Sequence, residues 1–163
     1  MEKNIKLLNG TVDVALRLLA VLSTCKILMS EDRLAIYSYF AIHFSDMQKS
    51  EESVHPDIPY RYSGYTKSRE IIPSSLSLLI SRGLVKCTIE NHKILYSSTE
   101  MGDALYKQIS GVYKIKLVNS ITKVHDALKD ANDIQILKKV SLSMQNWGSE
   151  FKYESIFNEF EYE

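Results

Sequence analysis

Apolar residues recur at helical spacing along most of this 163-residue chain and alternate at strand spacing in one place. This pattern predicts six helices and one two-stranded hairpin. The predicted helices cover 11–25, 72–82, 98–109 and 112–128, and two more begin at Ser30 and at Asn132. The predicted strands are 84–89 and 93–97, joined by a three-residue connection.

The first helix carries two neighbouring apolar stripes and a thin polar line. One stripe consists of Val12, Ala15, Leu16, Leu19 and Leu22, and the other of Val14, Leu18 and Val21. The polar line holds only Asp13, Arg17 and Thr24. We therefore expect about two thirds of this helix to be covered, with Arg17 on the uncovered side.

Residues 46–65 are predicted to form a long loop, because Pro56, Pro59 and Gly64 interrupt them and several charges lie between. Three tyrosines alternate with charged or small residues near its end. Such side chains suit protein docking or base stacking, although the two prolines can equally hold the loop against the core. The partner-binding candidates in this loop are Tyr60, Tyr62 and Tyr65.

The order of helix, helix, helix, hairpin and helix is typical of a winged helix-turn-helix. The predicted fold class is therefore α+β and predominantly helical, a winged helix-turn-helix with a two-stranded wing and additional C-terminal helices. The predicted domains are a winged-helix domain over 1–110 and a C-terminal helical extension with an acidic aromatic tail over 111–163.

Charge is unevenly distributed, although 20 basic and 20 acidic side chains give a net charge of zero. Residues 31–60 carry a surplus of four acidic groups, residues 61–93 of four basic groups, and residues 147–163 of four acidic groups. The basic surplus falls on the presumed recognition helix and wing, where cations contact phosphates. A solvated polar face is the alternative interpretation. The DNA-binding candidates are Arg61, Lys67, Arg69, Ser74, Arg82, Lys86 and Lys93.

Two C-terminal features suggest interfaces. Leu117, Ile121, Val124 and Leu128 form a seam, which predicts packing either within the chain or between copies. The tail alternates aromatic residues with five glutamates, which predicts docking. We expect a terminal helix there, with one face formed by Tyr153, Ile156, Phe157 and Phe160. The partner-binding candidates there are Trp147, Phe151, Tyr153, Phe157 and Phe160.

Enzymatic motifs are absent from the sequence. It contains no phosphate-binding GxxxxGK[ST] loop, no HExxH and no CxxC, and its four histidines are scattered. Asp57, Glu90 and Lys93 do not fit a nuclease motif, because one residue too many separates the Glu from the Lys. We expect no catalytic residue, cofactor, metal or small-molecule substrate, and a cytoplasmic protein without membrane contact.

Several short motifs resemble the middle component of bacterial ABC-three-component systems, including the Lamassu type of anti-phage and anti-plasmid defence. Tyr96 and Gly102 belong to the similarity, as do four runs. These runs are Asp32-Arg33-Leu34, His55-Pro56-Asp57-Ile58-Pro59-Tyr60-Arg61, Ser68-Arg69-Glu70 and Leu79-Ile80-Ser81-Arg82-Gly83-Leu84-Val85. The resemblance implies a non-catalytic winged-helix subunit that bridges or regulates an SMC/RecF-like ATPase and a separate effector nuclease.

Three functions remain open at this stage. The first is that accessory subunit, with double-stranded DNA as a further, sequence-tolerant contact. The second is a homodimeric winged-helix transcriptional regulator that uses the seam as its dimer interface. The third is a pure adaptor that never touches nucleic acid.

Overall fold

A computed structural model describes residues 10–58 and 61–145. The fold is mostly helical, with one two-stranded antiparallel sheet, as the sequence predicts. The helices are α1 (Thr11–Cys25), α2 (Glu31–Ile42), α3 (Arg61–Ser81), α4 (Glu100–Gln108), α5 (Val112–Leu128) and α6 (Asp133–Gln145). The strands are β1 (Val85–Glu90) and β2 (Lys93–Ser98), and a single 3₁₀ turn covers Phe44–Asp46.

Helix α1 is the centre of the core and contacts α2, α3, α4 and α5. Six of the eight predicted apolar residues of α1 are buried, but three positions differ from the prediction. Val12 and Leu16 are 63% and 40% exposed, whereas Arg17 is only 3% exposed. The guanidinium can be buried because its Nε donates to Ser38 Oγ at 2.9 Å and its Nη1 lies 3.7 Å from an Asp13 carboxylate oxygen.

Helix α3 begins eleven residues before the predicted start and runs through Pro73 without a break. The prediction of a loop as far as residue 65 is therefore wrong at its C-terminal end. Proline leaves one backbone carbonyl of the preceding turn without its helical donor. Packing outweighs this loss, because Tyr65, Ile72 and Leu76 are buried on one side of α3. Ile80, near the C-terminal end of α3, is partly exposed.

The hairpin is tighter than predicted. Glu90 pairs with Lys93 in the ladder, so the turn consists of Asn91 and His92 alone. Both turn residues have positive φ, 48° and 62°, as a type I′ turn requires. Asparagine tolerates this conformation better than most residues. The segment between α1 and α2 also joins the sheet, through an antiparallel bridge from Met29 to Tyr96.

The C-terminal helices pack on the same core. The seam residues Leu117, Ile121, Val124 and Leu128 are all buried, and α5 contacts both α1 and α2. Asn132 caps α6 as predicted: its Oδ1 accepts from the Gln135 N–H at 2.9 Å, while Gln135 Oε1 accepts from the Asn132 N–H at 3.0 Å. This is a reciprocal capping box.

Candidate functional site

A basic surface lies on α3 and the hairpin that follows it. Lys67, Arg82, Lys86 and Lys93 are all exposed, and we call these four residues the α3–hairpin surface. None of them takes part in an ion pair found within residues 10–58 and 61–145. Their positive charges are therefore available to an anionic partner, although Lys93 also lies close enough to Asp133 to help lower the pKa of that carboxyl group.

The other three DNA-binding candidates are engaged within the chain. Arg61 Nε lies 2.8 Å from a carboxylate oxygen of Asp46, and Arg69 forms an ion pair with Asp32. Ser74 Oγ donates to the Ile71 carbonyl at 2.9 Å. The planar guanidinium group of each arginine presents N–H donors that can bind a carboxylate or a phosphate equally. They are consequently less available to DNA than the α3–hairpin surface.

Tyr65 is not part of an exposed tyrosine loop. It lies in the second turn of α3, is buried, and packs edge-on against Tyr39 with ring centroids 5.5 Å apart. The prediction that Tyr65 lies in an exposed loop is therefore wrong, because α3 places its ring in the core. Tyr60 and the side chain of Tyr62 lie outside the described residues, as do the predicted terminal helix and its candidates Trp147, Phe151, Tyr153, Phe157 and Phe160.

The loop before α3 is clamped to three parts of the fold. The His55 N–H donates to the Ile42 carbonyl at 2.9 Å, and the His55 ring reaches the Tyr113 hydroxyl at 2.8 Å. Asp57 accepts from Ser45 Oγ at 3.0 Å. These bonds hold the loop against the end of α2, the 3₁₀ turn and the start of α5. The His-Pro-Asp motif thus has an architectural role.

Burial determines the protonation of His43 and His55. Desolvation, followed by the nearby His55, lowers the pKa of His43 to about 4. Burial also lowers the pKa of His55, with Arg17 acting in the same direction. The rings of His43 and His55 lie 6.2 Å apart in an edge-on arrangement. Both imidazoles are therefore neutral at pH 7, as a closely spaced pair beside a buried arginine requires.

An apolar cleft of about 280 Å³ opens between α2, α5 and α6. Phe40 and Met47 lie on one side, and Val140 and Leu142 on the other. Lys139 adds a positive charge at its edge. Two residues of α6, Ile134 and Leu142, expose most of their apolar side chains. The α6 side of the molecule is therefore suited to contact with another protein.

Comparison with known proteins identifies the family. The profile of the ABC-three component (ABC-3C) system Middle Component 2 matches residues 7–150. The chain belongs to this family. No curated protein and no solved structure matches it.

A middle component is an accessory component of an ABC-3C defence system and associates with its other components. A non-catalytic role is consistent with this membership. Within the described residues, no three His, Cys, Asp or Glu side chains are grouped so that they could hold a metal ion. No helix within the same described residues has the length and apolarity needed to cross a membrane.

The sequence did not predict the polar contacts of Arg17 with Ser38, which are both buried, or of His55 with the half-exposed Tyr113. Arg17, Ser38 and Tyr113 gave no motif, since they lie on three different helices, α1, α2 and α5. The only usable signal was the spacing of Asp13 and Arg17, which places the two charges one helical turn apart. A second missed group joins α6 to α2: the Asp133 carboxylate accepts from Ser30 Oγ at 2.7 Å and from Arg33 Nε at 2.8 Å.

Proposed function

We propose that this middle component is a winged-helix accessory subunit of a Lamassu-type complex. In this complex it bridges or regulates an SMC/RecF-like ATPase and an effector nuclease. The family membership over residues 7–150 carries the proposal. The subunit makes a weak, sequence-tolerant contact with double-stranded DNA and has no catalytic residue of its own.

The topology supports the winged-helix assignment. Two helices, α2 and α3, precede a hairpin, and Met29 between α1 and α2 pairs with Tyr96 on the inner strand of that hairpin. In winged helix-turn-helix domains the same segment supplies a short third strand to the wing, and the helix before the wing is the recognition helix. By this correspondence α3 is the recognition helix and β1–β2 is the wing.

The α3–hairpin surface supports contact with DNA. Its four unpaired cations follow the recognition helix and the wing, the two elements that meet the groove and the phosphate backbone in this fold. Cationic side chains supply sequence-independent affinity by releasing counterions. The exposed positions of α3 contain no Asn or Gln, so side chains that read bases by paired hydrogen bonds are scarce. They are Lys67, Glu70, Pro73, Ser74, Ser77, Ile80 and Ser81.

The contact with the ATPase is proposed on the α6 side. Exposed Ile134 and Leu142 lie about two turns apart along α6, beside the cleft that Val140 and Lys139 help to line. Apolar side chains in such a position are typical of the centre of an interface, with charged groups around them.

Co-expression with the neighbouring genes tests the complex. We expect the tagged middle component to retain a large coiled-coil ATPase through purification. Ile134→Asp with Leu142→Asp should abolish this retention, because each substitution puts a charge into an apolar contact. Val112→Asp is the matched control, because Val112 is exposed on another helix. This variant should still retain the ATPase. Purification of the unaltered chain alone, with the ATPase expressed and soluble, would refute the proposed complex.

Charge reversal tests the contact with DNA. Changing Lys67, Arg82 and Lys93 to Glu should weaken binding to a random duplex at least about tenfold. It should also make the slope of log affinity against log salt about 2.7 shallower, at about 0.9 per lost phosphate contact. Changing Lys107, Lys116 and Lys138 to Glu alters the net charge equally on exposed sites elsewhere and should have little effect. An equal loss of duplex affinity in both variants, or no loss in the first, would contradict the proposed DNA contact. Either result would favour a pure adaptor that does not bind DNA.

The homodimeric regulator gains no support from the seam. Its interface would need Leu117, Ile121, Val124 and Leu128 on the surface, but all four are covered by the chain's own helices. The accessory function is therefore the one that the described residues favour.

A further inference from the structure

The outer edge of the hairpin is open. In the two-stranded sheet, β2 lies between β1 and the bridge at Met29, so β1 is the edge strand. Among the described residues, no backbone group outside β2 bonds to Lys86–Glu90, and all five of these residues are exposed. An exposed edge of this length presents unpaired N–H and C=O groups that can accept another strand.

The sequence of this edge is complementary to itself. If a second β1 lies antiparallel to the first, with Thr88 opposite Thr88, then Lys86 lies opposite Glu90 of the other copy. Cys87 lies opposite Ile89, and each of these pairs occurs twice by symmetry. Opposite charges and paired threonines are favourable cross-strand neighbours.

The charges of the neighbouring strand extend the match. Within one chain, Glu90 pairs with Lys93 across the hairpin and Lys86 pairs with Ser97. In the joined sheet each Glu90 therefore lies between Lys93 of its own chain and Lys86 of the second copy. The charges in each of these two outer rows then alternate in sign, from Lys93 to Glu90 to Lys86 of the second copy. No two like charges are adjacent in a row.

The opposite face of the hairpin is apolar, and near the turn it is uncovered. Ile89 and Ile94 are register partners and are 74% and 53% exposed. Pairing of two β1 strands extends each row from Ile94 through Ile89 to Cys87 and Tyr96 of the second copy. The apolar side chains of β1 thus gain cross-strand neighbours at the open edge, where a single hairpin has none.

We propose that two copies of this middle component pair through β1, antiparallel and centred on Thr88, to form a continuous four-stranded sheet. The interface is small, so two free copies pair weakly. The pairing is stronger where other contacts hold two copies close together. It is independent of the proposed function, because it rests on the hairpin alone. Of the α3–hairpin surface, the joined sheet contains Lys86 and Lys93 and leaves Lys67 and Arg82 outside.

Two charge variants test the pairing. Lys86→Glu places like charges opposite Glu90 of the second copy, and Glu90→Lys places like charges opposite Lys86. Each variant alone should associate at least about tenfold more weakly than the unaltered chain in sedimentation velocity, at concentrations up to about 500 µM for so small an interface. An equimolar mixture of the two variants restores both ion pairs and should form a heterodimer. Lys107→Glu, on α4, should associate like the unaltered chain.

Cross-linking tests the register. In a Cys87→Ser background, Thr88→Cys places two thiols opposite each other on the symmetry axis and should give a disulfide-linked dimer on mild oxidation. Lys107→Cys in the same background is exposed but should cross-link much more slowly. Two results would overturn the proposal: a monomer throughout the concentration series with no preferential cross-linking at position 88, or a mixture of charge variants that associates no better than each alone. Loss of ATPase binding by Lys86→Glu without self-association would assign the edge to a partner's strand instead.

Discussion

Gly102→Ala should destabilise the middle component by about 3 kcal/mol, at the upper end of the usual cost of overpacking. A Cβ at this position would overlap the Leu84 carbonyl oxygen and lie 3.0 Å from the carbonyl carbon and 3.1 Å from Leu19 Cδ1. The same carbonyl accepts from the Thr99 N–H at 3.0 Å, so α4 and the start of the hairpin cannot separate without losing that bond. The small gain in helix propensity from Gly to Ala does not offset the clash.

Urea unfolding followed by circular dichroism measures this effect, and thermal unfolding should show a midpoint about 6–12 °C lower. Lys107→Ala on the same helix is the control and should change stability by less than about 0.5 kcal/mol, because Lys107 is exposed. Adding Leu19→Ala to Gly102→Ala should not restore stability, since it removes only the side-chain contact. Restoration would show that the backbone of α4 shifts freely and that the contact with Leu84 is not limiting.

Element order was the part of the fold that the sequence predicted best. Strong apolar periodicity and local signals such as the Asn132 cap depend on neighbours within one or two turns, and the structure confirms them. The start of α3 could not be read in this way, because residues 61–71 contain few apolar side chains. Tertiary contacts hold that half of the helix, through buried Tyr65 and the ion pair from Arg69 to Asp32.

Which side of a helix is buried was harder to predict. In α1, hydrophobicity alone placed Val12 and Leu16 inside and Arg17 outside, and the structure reverses all three. The neighbouring helices determine which side of α1 is buried. Ser38 of α2 supplies the hydrogen-bond acceptor that allows the Arg17 guanidinium to be buried. No property of residues 11–25 alone could indicate this partner.

The segmental charges explain why the candidate site is smaller than the sequence suggested. The acidic surplus of residues 31–60 and the basic surplus of 61–93 partly neutralise each other, through Asp46 with Arg61 and Asp32 with Arg69. Summation along the chain cannot detect pairing between segments. The cations left unpaired lie on the exposed side of α3 and on the hairpin, which concentrates the proposed DNA contact there.

The α5 seam provides the second large effect on stability. Ile121→Ala should lower the free energy of unfolding by about 2–5 kcal/mol, because Ile121 has no exposed surface and its truncation leaves a cavity between helices. Ile115→Ala is the matched control: Ile115 lies on the same helix but is 63% exposed, and it should cost less than about 1 kcal/mol.

Protein concentration separates packing within the chain from packing between copies. If the seam is intramolecular, the loss caused by Ile121→Ala is the same at about 2 µM and about 200 µM, because no association is linked to folding. If the seam joined two chains, the unfolding midpoint would rise with concentration, and the variant would mainly lower the dimer fraction. Association through β1 does not confuse the result when Lys86→Glu is included in both proteins, since that substitution disrupts the edge without touching the seam.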